Sequence, residues 1–498
     1  MRAVPHHKNR NKQMDKLSRL LKEIKTLEVI GDTDKNIVSL ESDSRKATKE
    51  GMFVAVRGVT TDGHKYIPVV ASNHVGAIVC EELPASLQKG ITYIRVADSS
   101  VALGQLASAW HDHPSSKLKL VGVTGTNGKT TTATLLYEMA RLEGYKAGLL
   151  STVCNYIEGR AVPATHTTPD PLTLNALLAE MAEAGCDYAF MEVSSHAAEQ
   201  HRIAGLTFAG GVFSNLTRDH LDYHHTVDNY MRAKKKFFDM LPPEAFALIN
   251  ADDKSGRFMV QNTKARVLTY SLRTDADFRG RIVETRLDGT LLQLNGKDVE
   301  VLFTGRFNAY NLTAVYGASV LTGFDPGEVL VNMSRLVPVA GRFQTFRSPK
   351  GVTAIVDYAH TPDALVNVLD TIREIVGPDG RITTVVGAGG DRDHGKRPQM
   401  AQESACRSDR LVLTADNPRS EDPAAIIADM KAGLSESELR RTLVIADRRE
   451  AIRTAILTAS EGEVVLVAGK GHETYQETNG VRHHFDDREE VRDALAQL

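Results

Sequence analysis

Apolar residues fall into short runs separated by polar, glycine-rich stretches, and their spacing switches between a helical and a strand period. Leu17, Leu20, Leu21 and Ile24 are spaced as one helix face, as are Leu135, Leu136, Met139 and Ala140. Compact apolar runs at 52–56, 75–80 and 91–96 predict strands, and 101–110 predicts a helix. The turn formers His113-Pro114-Ser115-Ser116 close this first block, 14–117. A second block, 118–344, alternates strands at 188–193, 211–213 and 246–250 with helices, as a mostly parallel sheet does. Within it, 281–303 alternates apolar and polar residues and predicts an antiparallel patch. The third block, 345–498, carries strands at 353–357, 381–387, 410–414, 442–445 and 463–468. The fold class is α/β in three domains.

Four of the last five strands run into dense polar clusters: Asp357-Tyr-Ala-His360, Gly389-Gly-Asp-Arg-Asp393, Asp416-Asn-Pro-Arg419 and Gly469-Lys-Gly-His-Glu473. Ligands of doubly wound sheets bind beyond the carboxyl ends of strands, where these clusters fall. A net charge of -3 on 498 residues gives no general affinity for nucleic acid or membranes, so anion binding is left to particular loops. Cys80, Cys154, Cys186 and Cys406 are far apart and read as thiols of a reducing cytoplasm. No apolar run approaches the roughly 18 residues that span a bilayer. Residues 1–13 are basic and polar, without the apolar core of a secretory signal, and read as a disordered extension or an over-extended start.

Gly125-Thr126-Asn127-Gly128-Lys129-Thr130-Thr131 joins an apolar strand to a helix. Small residues let backbone amides curl around anionic oxygens at a helix N-terminus. Lys129 suits the outer phosphates of a nucleoside triphosphate, and the Thr130 hydroxyl suits Mg²⁺. The first glycine of the strict Walker spacing falls on Val123, which points away from motor ATPases and small GTPases. Two further strand-end clusters follow, Glu192-Val-Ser-Ser-His196 and Asn215-Leu-Thr-Arg-Asp-His220. Glu192 offers Mg²⁺ a hard oxygen, and His220 is a second candidate ligand. Singly, such residues are more often caps or core histidines; behind one phosphate loop they form a constellation.

These stretches resemble the Mur ligases of peptidoglycan synthesis, as do Gly305-Arg-Phe-Asn308-Ala-Tyr-Asn311, Gly341-Arg342-Phe343 and Asp357-Tyr-Ala-His-Thr-Pro362. The resemblance runs in order from Met14 onward; folylpolyglutamate synthases share the loop and general plan but not the later clusters. It implies a small N-terminal nucleotide-sugar domain, a central ATP-binding domain and a Rossmann-like C-terminal domain. Among these ligases the chain resembles the branch that adds the third amino acid to UDP-MurNAc-L-Ala-D-Glu. Ser44, within Asp43-Ser44-Arg45, then belongs to the nucleotide-sugar site, although Ser42 and Val59-Thr60-Thr61 depart from the usual pattern. His166, Thr167, Thr168, Ser194, Gln200 and Arg202 hold the acceptor. Asn308, Asn311, Arg342 and Asp357 serve the adenosine or phosphate side. In Tyr230-Met-Arg-Ala-Lys234, the resemblance makes Lys234 a carbamylated lysine that joins Thr130, Glu192 and His220 around Mg²⁺. Lys235 and Lys236 read as a solvated basic face.

For the incoming amino acid the resemblance implies Arg392, Asp416, Asn417, Pro418, Arg419, Gly469 and Glu473, with Lys396 and Arg397 structural or peripheral. Asp416-Asn-Pro-Arg419 is the form associated with meso-diaminopimelate. That molecule differs from lysine by a carboxylate at the far end, which a guanidinium takes in two parallel hydrogen bonds. Lysine would leave Arg419 without an anionic partner. The expectation is an ATP-dependent, ADP-forming ligase, cytoplasmic and monomeric, acting on small molecules through an acyl phosphate. The alternatives are the L-lysine-adding ligase on the same scaffold and a non-catalytic, nucleotide-gated binding protein.

Overall fold

The computed structural model describes residues 14–58, 61–164 and 166–498; the reading of 1–13 lies outside them, as do Val59 and Thr60. The chain divides into two compact units. One comprises the described residues up to Gly122 with those of Tyr145–Ala209 and Met240–Ala245. The other comprises Val123–Gly144, Gly210–Asp239 and Phe246–Leu498. The strand Lys119–Thr124 is shared out between them, so the units do not follow the block boundaries at 117/118 and 344/345.

In the first unit a five-stranded sheet has the order Thr26–Ile30, Thr92–Val96, Ala77–Cys80, Met52–Val54, Leu40–Glu41, with only the first pairing antiparallel. Its strands alternate between two buried faces. Met52, Val54, Ala77, Val79, Ile94 and Val96 pack with Leu17, Leu20, Leu103 and Leu106, whereas Phe53, Ile78, Cys80 and Tyr93 pack with Ile67 and Val70. Strands covered on both faces read as continuous apolar runs, as Met52–Val54 and Ala77–Cys80 do. Farther along, Ala147–Leu150 pairs in parallel with Tyr188–Glu192, and the helix Pro171–Glu183 starts on an Asp170 cap.

In the second unit Gly210–Phe213, Phe246–Asn250, Arg266–Ser271 and Phe278–Arg286 pair in parallel in that order. The antiparallel patch follows as Phe278–Arg286, Gly289–Leu294 and Lys297–Val301. The same unit holds a six-stranded sheet ordered Gln344–Arg347, Thr353–Asp357, Val464–Ala468, Ile382–Val386, Arg410–Leu413, Thr442–Val444. All but Gln344–Arg347 are parallel. Leu365, Leu369, Met400 and Ile426 cover one face, and Ile452, Ile456, Val491 and Leu495 the other. The four parallel strands from Thr353–Asp357 to Arg410–Leu413 are immediate neighbours, so their polar carboxyl ends lie side by side.

Arg448 and Asp487, both fully buried, pair beneath that edge at 2.7 Å. Arg448 also donates to the carbonyls of Ala468 at 3.0 Å and Ala415 at 3.4 Å, tying two strand ends together. Removing one member strands a buried charge. Arg448→Ala is therefore expected to cost about 3–5 kcal/mol of stability, read as a lower urea midpoint; an unchanged midpoint would contradict this role.

Candidate functional site

The strand Lys119–Thr124 leads into the phosphate loop of the second unit, where the helix Lys129–Leu142 begins on Gly128. Gly128 has φ +85°, and a Cβ there would collide with the amide oxygen of Asn311. The loop is held from several segments. Thr126 N–H donates to the Asn215 carbonyl at 2.8 Å, and Asn127 N–H to Asn215 Oδ1 at 3.0 Å. Thr217 N–H donates to Thr126 Oγ1 at 3.0 Å, and that hydroxyl also meets the Tyr230 hydroxyl at 3.1 Å. Asn311 and Asn308 lie one turn apart on the helix Arg306–Thr322, both buried and 3.4 Å from each other. Arg342 Nη2 donates to Thr130 Oγ1 at 3.3 Å while its guanidinium lies over the Tyr358 ring. Arg342 Nε is buried without a hydrogen bond. Asp357 accepts from the amides of Phe343 and Ala359, each at 2.7 Å, and burial raises its pKa against the pull of Arg342.

Lys234, on the helix Val227–Asp239, is 1% exposed and donates to the Gly125 carbonyl at 2.7 Å. Lys129 donates to the same oxygen at 3.0 Å and to the Thr126 carbonyl at 2.7 Å. Burial, reinforced by the Lys129 charge and opposed by Asp219, pushes the Lys234 amine well below the usual lysine range. An uncharged amine is the form that takes up CO₂ to become a carbamate. Its neighbour Lys235 departs from the solvated reading: it is only 7% exposed, pairs with Asp239 at 2.5 Å and packs on the Phe258 ring. Its alkyl stem lies against apolar surface while the ammonium finds a carboxylate one turn away. Lys236 is exposed as expected.

His220 adopts a left-handed backbone, φ +54°, and lies 3.5 Å from the Asp219 carboxylate. Burial favours the neutral form of Asp219, but the charges of His220, Lys396 and His360 outweigh it and hold the carboxyl below the usual range. Lys396 reaches Asp219 at 2.5 Å. Read from sequence as structural or peripheral, it connects the 391–397 stretch to the residue beside His220; nothing local in the sequence names that partner. Arg397 fits its structural reading, buried between Glu421 at 2.7 Å and Asp429 at 2.9 Å. Tyr230, not singled out as a site residue, supports the loop through Thr126 and puts its ring 4.5 Å from Lys234 Nζ.

Of the strand-end clusters of the six-stranded sheet, the Gly389–Asp393 stretch meets Arg419. Its φ is +52°, an uncommon conformation for a side-chain-bearing residue and one that collects at functional sites. Arg419 Nη1 donates to the Gly390 carbonyl at 2.6 Å, engaging one corner of the guanidinium. Gly390 has no room for a Cβ, because the Pro418 carbonyl lies against it. Asn417 donates to Glu473 Oε2 at 2.7 Å. Asp416 lies close enough to Gly469 that a Cβ there would press on its carboxylate. Arg392 is exposed on the 391–397 stretch.

In the first unit the acceptor candidates Thr167, Thr168, Ser194, Gln200 and Arg202 form one hydrogen-bonded group. Thr168 Oγ1 donates to the Glu192 carbonyl at 2.8 Å and accepts from the Ser194 amide at 3.2 Å. Arg202 donates to the Thr168 carbonyl at 2.8 Å and to Gln200 Oε1 at 2.7 Å. Thr152, which the sequence did not mark, donates its amide to Glu192 Oε1 at 2.7 Å and its hydroxyl to Thr167 at 3.0 Å. Ser194 also caps the helix Ser195–Glu199. His166 is exposed, and Ser44 sits in a turn beside the Asp43–Arg45 ion pair at 2.7 Å. Among the described residues no three His, Cys, Asp or Glu side chains converge as a metal centre. Mg²⁺ commonly takes one or two protein carboxylates plus substrate phosphates; the Thr130 hydroxyl in the second unit and the Glu192 carboxylate in the first are each oxygen donors of a kind it accepts. No helix among the described residues is long and apolar enough to cross a membrane.

Comparison with known proteins adds to this geometry. The Mur ligase middle domain matches residues 123–319, and the Mur ligase, glutamate ligase domain matches 341–471. A UDP-N-acetylmuramoyl-L-alanyl-D-glutamate–2,6-diaminopimelate ligase of Parabacteroides distasonis is 61% identical, over 94% of this chain and 96% of its own. The ligase of the same name from Bacteroides fragilis is 58% identical, over 97% and 99%. A solved structure of a ligase so named superposes with a TM-score of 0.70 at 33% identity, over 97% of this chain and 99% of that one.

The loop geometry carries one expectation. Gly128→Ala forces a Cβ onto Asn311 and a left-handed conformation on alanine, a strain on the order of 1–3 kcal/mol. ATP binding by titration calorimetry should weaken about 10-fold or more; an affinity within about twofold of the parent would show that the loop does not hold the nucleotide.

Proposed function

The chain belongs to the Mur ligase family, and from that premise we propose that it adds meso-diaminopimelate to the D-glutamate of UDP-MurNAc-L-Ala-D-Glu at the expense of ATP. This is the activity for which its near-full-length relatives are named. The observation that carries the choice of amino acid is Arg419, a guanidinium held by Gly390 beside the linked pair Asn417 and Glu473. A carboxylate at the far end of the incoming molecule matches the guanidinium, and an ammonium matches Glu473.

The γ-carboxylate of D-glutamate attacks the terminal phosphorus of ATP, ADP leaves, and an acyl phosphate results. The amine of meso-diaminopimelate then adds to the carbonyl carbon, loses a proton, and phosphate departs with one former carboxylate oxygen. Lys129 and the amides of Gly125–Thr131 spread the charge of the transferring phosphoryl group. Arg202, with Thr167, Thr168, Ser194, Gln200 and His166, orients the acceptor, and Ser44 serves the nucleotide sugar. Asn308, Asn311, Arg342 and Asp357 serve the adenosine and phosphate side. Thr130, Glu192, His220 and carbamylated Lys234 are the residues that would hold Mg²⁺, which supplies further neutralisation of phosphate charge. The low basicity of Lys234 supports its modification. Arg392, Asp416, Pro418 and Gly469 complete the amino-acid pocket. In this reading 14–117, 118–344 and 345–498 are the UDP-sugar, ATP and amino-acid modules of a monomeric cytoplasmic enzyme.

Phosphate release with ATP and the dipeptide nucleotide is expected with meso-diaminopimelate and not with L-lysine. Release with lysine alone would overturn the specificity, and none with either would favour the nucleotide-gated binding protein. Arg419→Ala should raise KM for meso-diaminopimelate about 10- to 100-fold and leave KM for ATP within about twofold. Equal losses for both substrates would remove Arg419 from its role.

A further inference from the structure

Lys470 lies between Gly469 and Glu473, and its side chain is 0% exposed. A buried ammonium is unfavourable unless oxygens surround it. Here they come from the amino-acid pocket itself: Asn417 Oδ1 at 3.0 Å, Glu473 Oε2 at 3.3 Å and Asp416 Oδ1 at 3.9 Å. The Tyr475 ring lies 5.5 Å from the same nitrogen.

Two consequences follow from these contacts. Asn417 Oδ1 accepts from both Lys470 and the Glu477 amide at 3.0 Å, which uses its two lone pairs and fixes which end of the amide faces Glu473. The Asn417 nitrogen accordingly donates to Glu473 Oε2 at 2.7 Å. Both contacts to Glu473 fall on Oε2, so Oε1 is the oxygen left for an ammonium. The second consequence concerns charge. Asp416 and Glu473 bring two carboxylates, Lys470 one ammonium and Arg419 one guanidinium, so these four side chains are neutral together. With Arg392, assigned to the same pocket, the set carries one net positive charge, which matches a ligand end bearing a carboxylate beside its ammonium and disfavours an end with an ammonium alone.

We propose that Lys470 is a positioning and specificity-determining residue: it locks the Asn417 amide and supplies the positive charge that makes the pocket prefer a zwitterionic end over a cationic one. This rests on the reading of Asn417, Arg419 and Glu473 as amino-acid contacts. Lys470→Met removes both the hydrogen bond and the charge. KM for meso-diaminopimelate should rise about 10- to 100-fold, and the kcat/KM ratio of meso-diaminopimelate over L-lysine should fall at least about 10-fold. Lys470→Gln keeps an N–H for Asn417 without the charge, so it should recover part of the KM while the ratio stays low; it also carries the test if the Met variant does not fold. A structural role alone would lower thermal stability and leave the ratio within about twofold of the parent, and that result overturns the proposal. Asn417→Ala separates the two readings. If it raises KM for meso-diaminopimelate while both Lys470 variants leave KM and ratio unchanged, Lys470 has no such role. If it leaves that KM unchanged, the pocket assignment fails, and the proposal with it.

Discussion

The carbonyl oxygen of Gly125 accepts from two lysines, Lys129 at 3.0 Å and Lys234 at 2.7 Å, and much of the nucleotide side depends on this shared bond. Burial, reinforced by the neighbouring Lys129 charge, disfavours the ammonium form of Lys234, the more deeply buried of the two, and holds its amine well below the usual lysine range. The same contact fastens the helix Val227–Asp239 to the loop and brings Tyr230 under Thr126. Asn215 and Thr217 complete the support, which keeps the stretch leading to His220 in register with the phosphate loop.

The amino-acid side depends on a different constraint, the order of strands in the six-stranded sheet. Thr353–Asp357, Val464–Ala468, Ile382–Val386 and Arg410–Leu413 are neighbours although they are far apart in sequence. Four separate loops therefore open onto one edge, with Arg448 and Asp487 anchoring it from below. Two links run from this part of the unit toward the phosphate loop: Arg342 to Thr130, and Lys396 to the Asp219 carboxylate beside His220. A reaction that first makes an acyl phosphate and then admits an amine needs such links, because both steps act on one carboxyl group.

Much of this was legible in the sequence. Strand runs such as 246–250 and 353–357 match the observed Phe246–Asn250 and Thr353–Asp357, because strands buried on both faces are apolar throughout. The phosphate loop was legible because glycine and lysine at fixed offsets have few other uses. Long-range partnerships were not. Nothing local to Lys235 reveals that Phe258 lies against it, and nothing local to Lys396 names Asp219. Spacing along a chain reports which face a residue occupies, not which distant segment meets that face. Likewise, the Asn-Pro turn does not reveal that Arg419, in a left-handed backbone conformation, meets Gly390 and Glu477.

The central claim is that the loop around Gly125–Thr131 and the pocket around Arg419 serve one amide-forming reaction through an acyl phosphate. Isotope transfer tests it most directly. With oxygen-18 in the γ-carboxylate of the dipeptide nucleotide, turnover with ATP and meso-diaminopimelate should release phosphate carrying one labelled oxygen, with the partner oxygen retained in the new amide. Unlabelled phosphate would mean that ATP is hydrolysed without activating the carboxylate, and would contradict the account.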